Sequence, residues 1–276
     1  MNIKLTNVNY IYNPGTVNEK RAIRDISLEI RENEFIAIVG STGSGKSSLI
    51  QLLNGLKMPS SGTIAYNGKI YGNDKKALCS IRSKVGIVFQ YPEYQLFDET
   101  VLKDVSFGPK NMGFSKEEAE EKARDALQKV GLLESAYEKS PFDLSGGEKR
   151  RAAIAGILAM KPEILILDEP TAGLDPLGKR ELLEFLKKEK NENKITIIMV
   201  SHNMDEVAEY AERMIVLSDG KVLLDGEPHE VFKNESILNE VGLMVPQVTS
   251  FCKKIGIEGP ITLDEAVEAI CSEISH

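Results

Sequence analysis

The stretch Val39-Gly40-Ser41-Thr42-Gly43-Ser44-Gly45-Lys46-Ser47-Ser48 sets three glycines and a row of hydroxyls around one lysine, directly behind the apolar run Phe35-Ile36-Ala37-Ile38-Val39. The run predicts a buried strand, and the segment from Gly45 to about Leu56 predicts a helix. Gly40, Gly45, Lys46 and Ser47 fill the spacing G-x-x-x-x-G-K-[ST]. Bare backbone lets successive N–H groups converge on one concavity, and the helix that starts there adds the positive end of its dipole. Both favour phosphate. A lysine at this place reaches the β- and γ-phosphates of a nucleotide, and the hydroxyl after it ligates Mg²⁺. The stretch reads as a nucleoside triphosphate cradle at the end of a buried strand.

Further along, Ile164-Leu165-Ile166-Leu167-Asp168-Glu169 predicts a short strand covered on both faces, delivering carboxylates at its end. Asp168 suits a Mg²⁺ shell. Glu169 is free to polarise a water for attack on the γ-phosphate. Leu144-Ser145-Gly146-Gly147-Glu148 offers a hydroxyl and unobstructed N–H groups at a helix start, a second phosphate-binding end. One nucleotide can use both ends only if they face each other, as they would across a dimer. The first two motifs alone leave kinases, GTPases and many ATPases open; the Ser-Gly-Gly narrows them.

Elsewhere, residues 3–12 and 25–39 read as strands punctuated by Asn13-Pro14-Gly15. From about 92 to 160 the pattern is largely helical, with a capping box at Ser115–Glu118 and apolar spacing through Ala119, Ala123, Leu127 and Val130. Ile195–Val200 reads as another covered strand and 179–190 as a helix. Arg213–Leu217 and Lys221–Leu224 read as a hairpin through Asp219-Gly220. The charge run 187–194 reads as a solvated helix end and loop. Past about Gly226 two or three short helices follow, one opening at the capping-box match Thr262–Glu265. Leu243, Val245, Val248, Phe251 and Ile255 form an apolar stripe there, expected to cover the core or a partner subunit.

At 276 residues the chain is long enough for one large domain with a smaller appendage, and 42% hydrophobic residues argue against disorder. A net charge of −8 argues against a dedicated nucleic-acid partner. No apolar run approaches the roughly 20 residues that span a bilayer. Met1-Asn2-Ile3-Lys4-Leu5 lacks the apolar core of a signal peptide, so a cytosolic chain is expected. Cys79, Cys252 and Cys271 are far apart without a CxxC pair, and reduced thiols, buried or incidental, are expected. Imidazole chemistry has only His202, His229 and His276 to draw on.

Over about residues 3–226 the chain resembles the ATP-binding cassette (ABC) ATPases. The resemblance implies an α/β P-loop fold with a mixed core sheet, an antiparallel β subdomain and an inserted helical subdomain at about 92–160. A small helical extension over 227–276, a candidate dimerisation segment, would follow the ATPase domain of 1–226. ATP and Mg²⁺ are the implied cofactors. By the same likeness Gly40, Ser41, Thr42, Gly43, Ser44, Gly45, Lys46, Ser47 and Ser48 form the Walker A loop. Ser47, Asp168 (the Walker B aspartate) and Gln90 (the Q-loop glutamine) would contact the metal, and Glu169 would be the catalytic base. Ser145, Gly146 and Gly147 lie in the family signature, which binds the γ-phosphate of the nucleotide held by the partner subunit. Ala172-Gly173-Leu174-Asp175 matches the D-loop that communicates across the dimer. His202 matches the switch histidine at the γ-phosphate and attacking water. Tyr12 matches the aromatic that stacks on adenine. The signature ends in Glu148 where many relatives carry glutamine, and the D-loop reads AGLD where many read SALD; neither change touches a residue assigned to hydrolysis.

A narrower likeness lies in Phe89-Gln90-Tyr91-Pro92-Glu93-Tyr94-Gln95-Leu96-Phe97, which is similar to the FQxPxxQLF run of energy-coupling factor (ECF) importers, including cobalt-importer ATPases. The segment from Asn13 to Arg21 resembles one of the two ATPase paralogues of those systems, and the tail past Gly226 fits their C-terminal extension. The likeness implies a peripheral subunit on the cytoplasmic face of the cell membrane, pairing with itself or a paralogous ABC ATPase. It would drive a membrane coupling subunit and a substrate-capture subunit to import a vitamin or a cobalt- or nickel-like ion. Tyr91, Tyr94, Leu96 and Phe97 are expected to line a groove for a membrane-subunit helix. The competing reading is a soluble ABC ATPase of DNA repair or translation. Those usually carry a long coiled-coil insertion or two cassettes, and this chain has one cassette. A P-loop nucleotide kinase gives no reason for Leu144–Glu148 or for His202.

Overall fold

A computed structural model describes the chain except for Tyr71, Asn73, Ser275 and His276, so the third histidine lies outside the described residues. Two sheets form the frame. The first is antiparallel, ordered β2 (Lys20–Ile30), β1 (Ile3–Tyr12), β4 (Ser61–Tyr66), β5 (Lys69–Ile70). The second has six strands, ordered β10 (Lys221–Gly226), β9 (Arg213–Ser218), β3 (Phe35–Val39), β8 (Thr196–Val200), β7 (Ile164–Asp168), β6 (Val85–Val88). Its pairs are parallel except β10 with β9, which makes it the expected mixed core sheet.

The unbroken apolar sequence of β3 is buried at every position because both of its faces are covered. Ile36 and Ile38 point into a core made with the antiparallel sheet and helix α1 (Lys46–Leu53). Helix α2 (Lys75–Lys84) adds Ile81 to that core. On the opposite face, Phe35, Leu165, Leu167, Ile197 and Met199 join residues of α3 (Val101–Asn111), α4 (Lys116–Lys129), α5 (Gly146–Leu158) and α6 (Pro176–Asn193) in one continuous core. A third cluster packs Ala37, Val39, Met214 and Val216 against α7 (Met204–Tyr210), α8 (Pro228–Phe232) and α9 (Glu235–Glu240).

Several expectations change. The segment 25–39 is two strands, since Asn33 at φ 57° turns the chain between β2 and β3, and β2 begins earlier, at Lys20. The charge run is not wholly solvated. Glu189 and Lys190 follow Leu182, Leu183 and Leu186 at helical spacing, so α6 buries them on its inner face. Lys190 there pairs with Glu212 at 2.5 Å, and Glu189 accepts from Asn193 at 2.9 Å. Among its described residues the tail holds four helices, with α10 (Gln247–Lys254) and α11 (Leu263–Ile274) after α8 and α9. Both expected capping boxes form: Ser115 with Glu118, and Thr262 with Glu265. The hairpin turns through Asp219 and Gly220, both at positive φ. The apolar stripe divides: Leu243 and Val245 join the core, while Phe251 and Ile255 are half exposed. Cys252 is buried, whereas Cys79 and Cys271 are exposed. Among the described residues no helix is long and apolar enough to cross a membrane.

Leu165 is fully buried between strands and helices, whereas Leu133 is 74% exposed. Leu165→Ala is expected to cost about 2–5 kcal/mol of unfolding free energy, and Leu133→Ala less than about 0.5 kcal/mol, measured by urea denaturation.

Candidate functional site

The parallel strands β3, β8, β7 and β6 are neighbours and end at one edge of the sheet. Each therefore delivers its next residues to the same crevice, where open α/β sheets bind ligands. Beyond β3 lies the glycine loop. A Cβ on Gly40 would sit 2.3 Å from the Leu217 carbonyl oxygen, and one on Gly45, at φ 110°, would sit 2.6 Å from that of Ala22. Glycine at these two positions lets the loop pass between its neighbours and turn into α1. The Lys46 ammonium donates to the carbonyls of Gly40 at 2.7 Å and Ser41 at 3.0 Å. Ser44 Oγ is buried without a hydrogen-bond partner. The concavity that Lys46, Ser47 and Ser48 line with Tyr12 and Lys20 measures about 310 Å³.

Asp168 ends β7 and hydrogen-bonds Ser47. Burial pushes its carboxyl above the ordinary range and the Glu169 charge adds to this, while Lys46 and Ser47 pull the other way. Burial likewise pulls the Lys46 ammonium below its usual value against the attraction of Glu169 and Asp168. Glu169 holds φ at 50°, a costly conformation for a side chain without local compensation, and its N–H donates to the Val200 carbonyl of β8 at 3.0 Å. That turn aims Glu169 at the end of β8, where its Oε2 lies 2.7 Å from His202 Nδ1. The carboxylate is 14% exposed and the imidazole 74%, so His202 reaches from solvent onto a sheltered acid. Gln90, exposed, follows β6 one strand over, where Val88 pairs with Leu167.

Ser145 to Gly147 are not brought to this crevice. Ser145 and Gly146 are exposed at the start of α5, a Cβ on either glycine would meet open space, and Gly147 lines a separate concavity with Asp175. Ser145 Oγ is 2.7 Å from Glu148 Oε2 and accepts from the Glu148 N–H, so the hydroxyl caps its own helix.

The ABC transporter family profile matches residues 23–172. The energy-coupling factor transporter ATP-binding protein EcfA2 of Caldanaerobacter subterraneus is 51% identical, over 98% of this chain and 96% of that one. The protein of the same name from Clostridium perfringens is 50% identical over 100% and 99%. Among solved structures, cbiO1 from Clostridium perfringens, described as part of the ABC transporter complex cbiONQ, is 40% identical with a TM-score of 0.76, covering 91% of this chain and 98% of that one. A dimeric ATP-binding cassette in a post-hydrolysis state, bound to ADP and Pi, is 32% identical with a TM-score of 0.74, over 82% and 98%. The chain belongs to the ABC transporter family, among the ECF ATP-binding subunits. It is an ATPase.

Two residues of this ABC ATPase that sequence reasoning passed over stand beside the site. Lys57 packs against Tyr12, whose hydroxyl is 3.0 Å from Ser48 Oγ. Arg150, fully inside α5, bonds both Glu93 oxygens and donates to the carbonyls of Pro170 at 3.1 Å and Ala172 at 2.7 Å. It thereby ties the turn after Gln90, the helix after Ser145 and the segment after Glu169 together. A cation two places beyond the signature was the available signal, but its partner lies 57 positions upstream. Arg150→Ala leaves Glu93 without its counter-charge in a setting where both side chains are largely buried, 6% and 18% exposed. It is expected to lower unfolding free energy by about 3 kcal/mol or more, with part regained in the double variant with Glu93→Gln, measured by urea denaturation.

Proposed function

We propose that this ATPase is a nucleotide-hydrolysing subunit of an ECF-type importer for a vitamin or a cobalt- or nickel-like ion, working at the cytoplasmic face of the membrane. The 51% identity to an ECF transporter ATP-binding protein across nearly the whole chain supports the importer type. The observation that carries the hydrolytic reading is the 2.7 Å contact of Glu169 with His202, on strand ends next to the Lys46 loop. In this reading Glu169 polarises the attacking water and His202 holds that carboxylate and reaches the γ-phosphate. Lys46 releases its loop carbonyls for the phosphates, and the loop N–H groups with Ser41, Thr42, Ser44 and Ser48 line the cradle.

The donor set of Ser47 hydroxyl, Asp168 carboxylate and Gln90 amide is all hard oxygen and fits Mg²⁺. The Ser47–Asp168 hydrogen bond already holds two of the three together. Bound there, the ion would neutralise phosphate charge. Tyr12 would stack on adenine. Ser145 and Gly146, both exposed, and the half-buried Gly147 lie outside their own crevice and would serve the nucleotide of a second ABC ATPase subunit, itself or a paralogue. ATP would then bridge two subunits, and loss of the γ-phosphate would release the bridge.

Coupling to the membrane subunit would use the surface after Gln90. Tyr91 is 44%, Tyr94 85% and Phe97 59% exposed, which suits aromatic anchors awaiting a helix. Leu96 is buried at 7% exposure and holds the segment in place instead of lining its surface. The soluble ABC ATPase alternative has no use for three such exposed aromatics.

Glu169→Gln is expected to abolish steady-state ATP hydrolysis while ATP binding persists, and to accumulate an ATP-bound dimer by light scattering. Undiminished turnover would assign the base elsewhere. Tyr94→Ser with Phe97→Ser is expected to lose co-purification with the membrane subunit while retaining ATP binding. A transport-competent complex of that double variant would reject the docking surface.

A further inference from the structure

Tyr12 is held from two directions. Its hydroxyl hydrogen-bonds Ser48 Oγ at 3.0 Å, at the end of the phosphate loop, and also accepts from the Lys57 ammonium. The same ammonium lies 3.8 Å from the centre of the Tyr12 ring and 5.0 Å from that of Tyr10. The two ring centres are 4.9 Å apart, nearly perpendicular at 85°. An ammonium bonded to the hydroxyl and this near the ring centre stands beside the hydroxyl edge of the ring, not over its middle. Lys57 therefore holds Tyr12 by its polar end.

The two side chains also line different hollows. Tyr12 lines the concavity of Lys46, Ser47 and Ser48, and Lys57 does not. Lys57 lines a different depression, with Gly55, Met58 and Tyr66, behind α1. Burial pushes the Tyr12 phenol upward, but the hydrogen bonds with Lys57 and Ser48 and the Lys57 charge outweigh it, leaving the group below its ordinary range.

We propose that Lys57 is a positioning residue for the nucleobase: together with Ser48 it holds the Tyr12 hydroxyl and so sets the share of ATP affinity that adenine supplies. The inference rests on the reading that Tyr12 stacks on adenine. Two partners on one hydroxyl restrict the swing of the ring, and the bond to Ser48 keys it to the phosphate loop. A base stacking on Tyr12 then meets a ring already oriented, without the entropic cost of ordering it.

The test separates base from phosphate. Binding of ATP and of inorganic tripolyphosphate to the full chain is measured by calorimetry, with divalent metal chelated so that no turnover occurs. Lys57→Met keeps an apolar stem and removes the charge. It is expected to weaken ATP roughly three- to tenfold while tripolyphosphate binding changes less than about twofold, and Lys57→Arg is expected to restore most of the loss. Tyr12→Ser, run beside it, should show the same base-selective loss. An unchanged ATP affinity in Lys57→Met, or equal weakening of both ligands, overturns the role of Lys57 while a selective loss in Tyr12→Ser leaves the stacking reading standing. If Tyr12→Ser shows no selective loss, the stacking reading fails and the role of Lys57 falls with it.

Discussion

Backbone N–H groups free to bind an anion occur in a packed α/β domain only where pairing stops, at strand ends and in the first turn of a helix. Here that constraint acts through β3. It is flanked by β8 and β9, all five of its residues are buried, and its pairing runs out at Val39. The next residue must slip past the Leu217 carbonyl, which only a glycine does without a clash. Because the sheet is parallel from β9 to β6, every neighbouring strand runs out at the same edge. Lys46, Asp168, Glu169, His202 and Gln90, scattered along the chain, meet there because strand direction gives them no alternative.

The site so assembled is not electrostatically comfortable. Two carboxylates adjoin each other, one with its proton affinity raised by burial, beside an ammonium whose own affinity burial lowers. Glu169 adds a backbone conformation that side chains rarely adopt, and Ser44 Oγ is buried and unpartnered. Rigid packing on both sheet faces holds these unfavourable features in place. In the proposed reading a phosphate chain would give Ser44 Oγ the partner it lacks and Lys46 an anion in place of its two loop carbonyls.

What was legible in the chain follows the same physics. The β3 and β7 segments are continuous apolar runs bounded by glycine or carboxylate, and such runs announce strands covered on both faces. The capping boxes and the Asp219-Gly220 turn are local, so they could be read locally. The antiparallel sheet was harder. Lys69–Ile70 is only two residues long, and β2 joined β3 in the reading because nothing in Arg31–Glu34 but Asn33 marks a turn. Burial of Lys190 depends on Glu212, and burial of Arg150 depends on Glu93. Neither partnership has a sequence signature, because the pairs lie on different elements. The same holds for Lys57 beside Tyr12, joined across 45 positions. Motifs report the groups that touch a ligand; the groups that hold those in place are chosen by topology.

Arg150 shows why that distinction matters for a machine of this kind. Its guanidinium spans three segments that each follow a candidate site residue: Glu93 after Gln90, Pro170 and Ala172 after Glu169, and its own helix after Ser145. The bonds to the two carbonyls are backbone bonds, so a displacement of the Pro170–Ala172 segment is felt at Arg150 whatever its side chains do. Glu93 lies between the exposed aromatics Tyr91 and Tyr94, so the same displacement arrives at the surface proposed to meet the membrane subunit. A buried ion pair is weak evidence for stability, but it is stiff and tolerates few alternative geometries. Stiffness is what transmission between a γ-phosphate and a distant docking surface requires, since packed elements move as bodies between discrete arrangements.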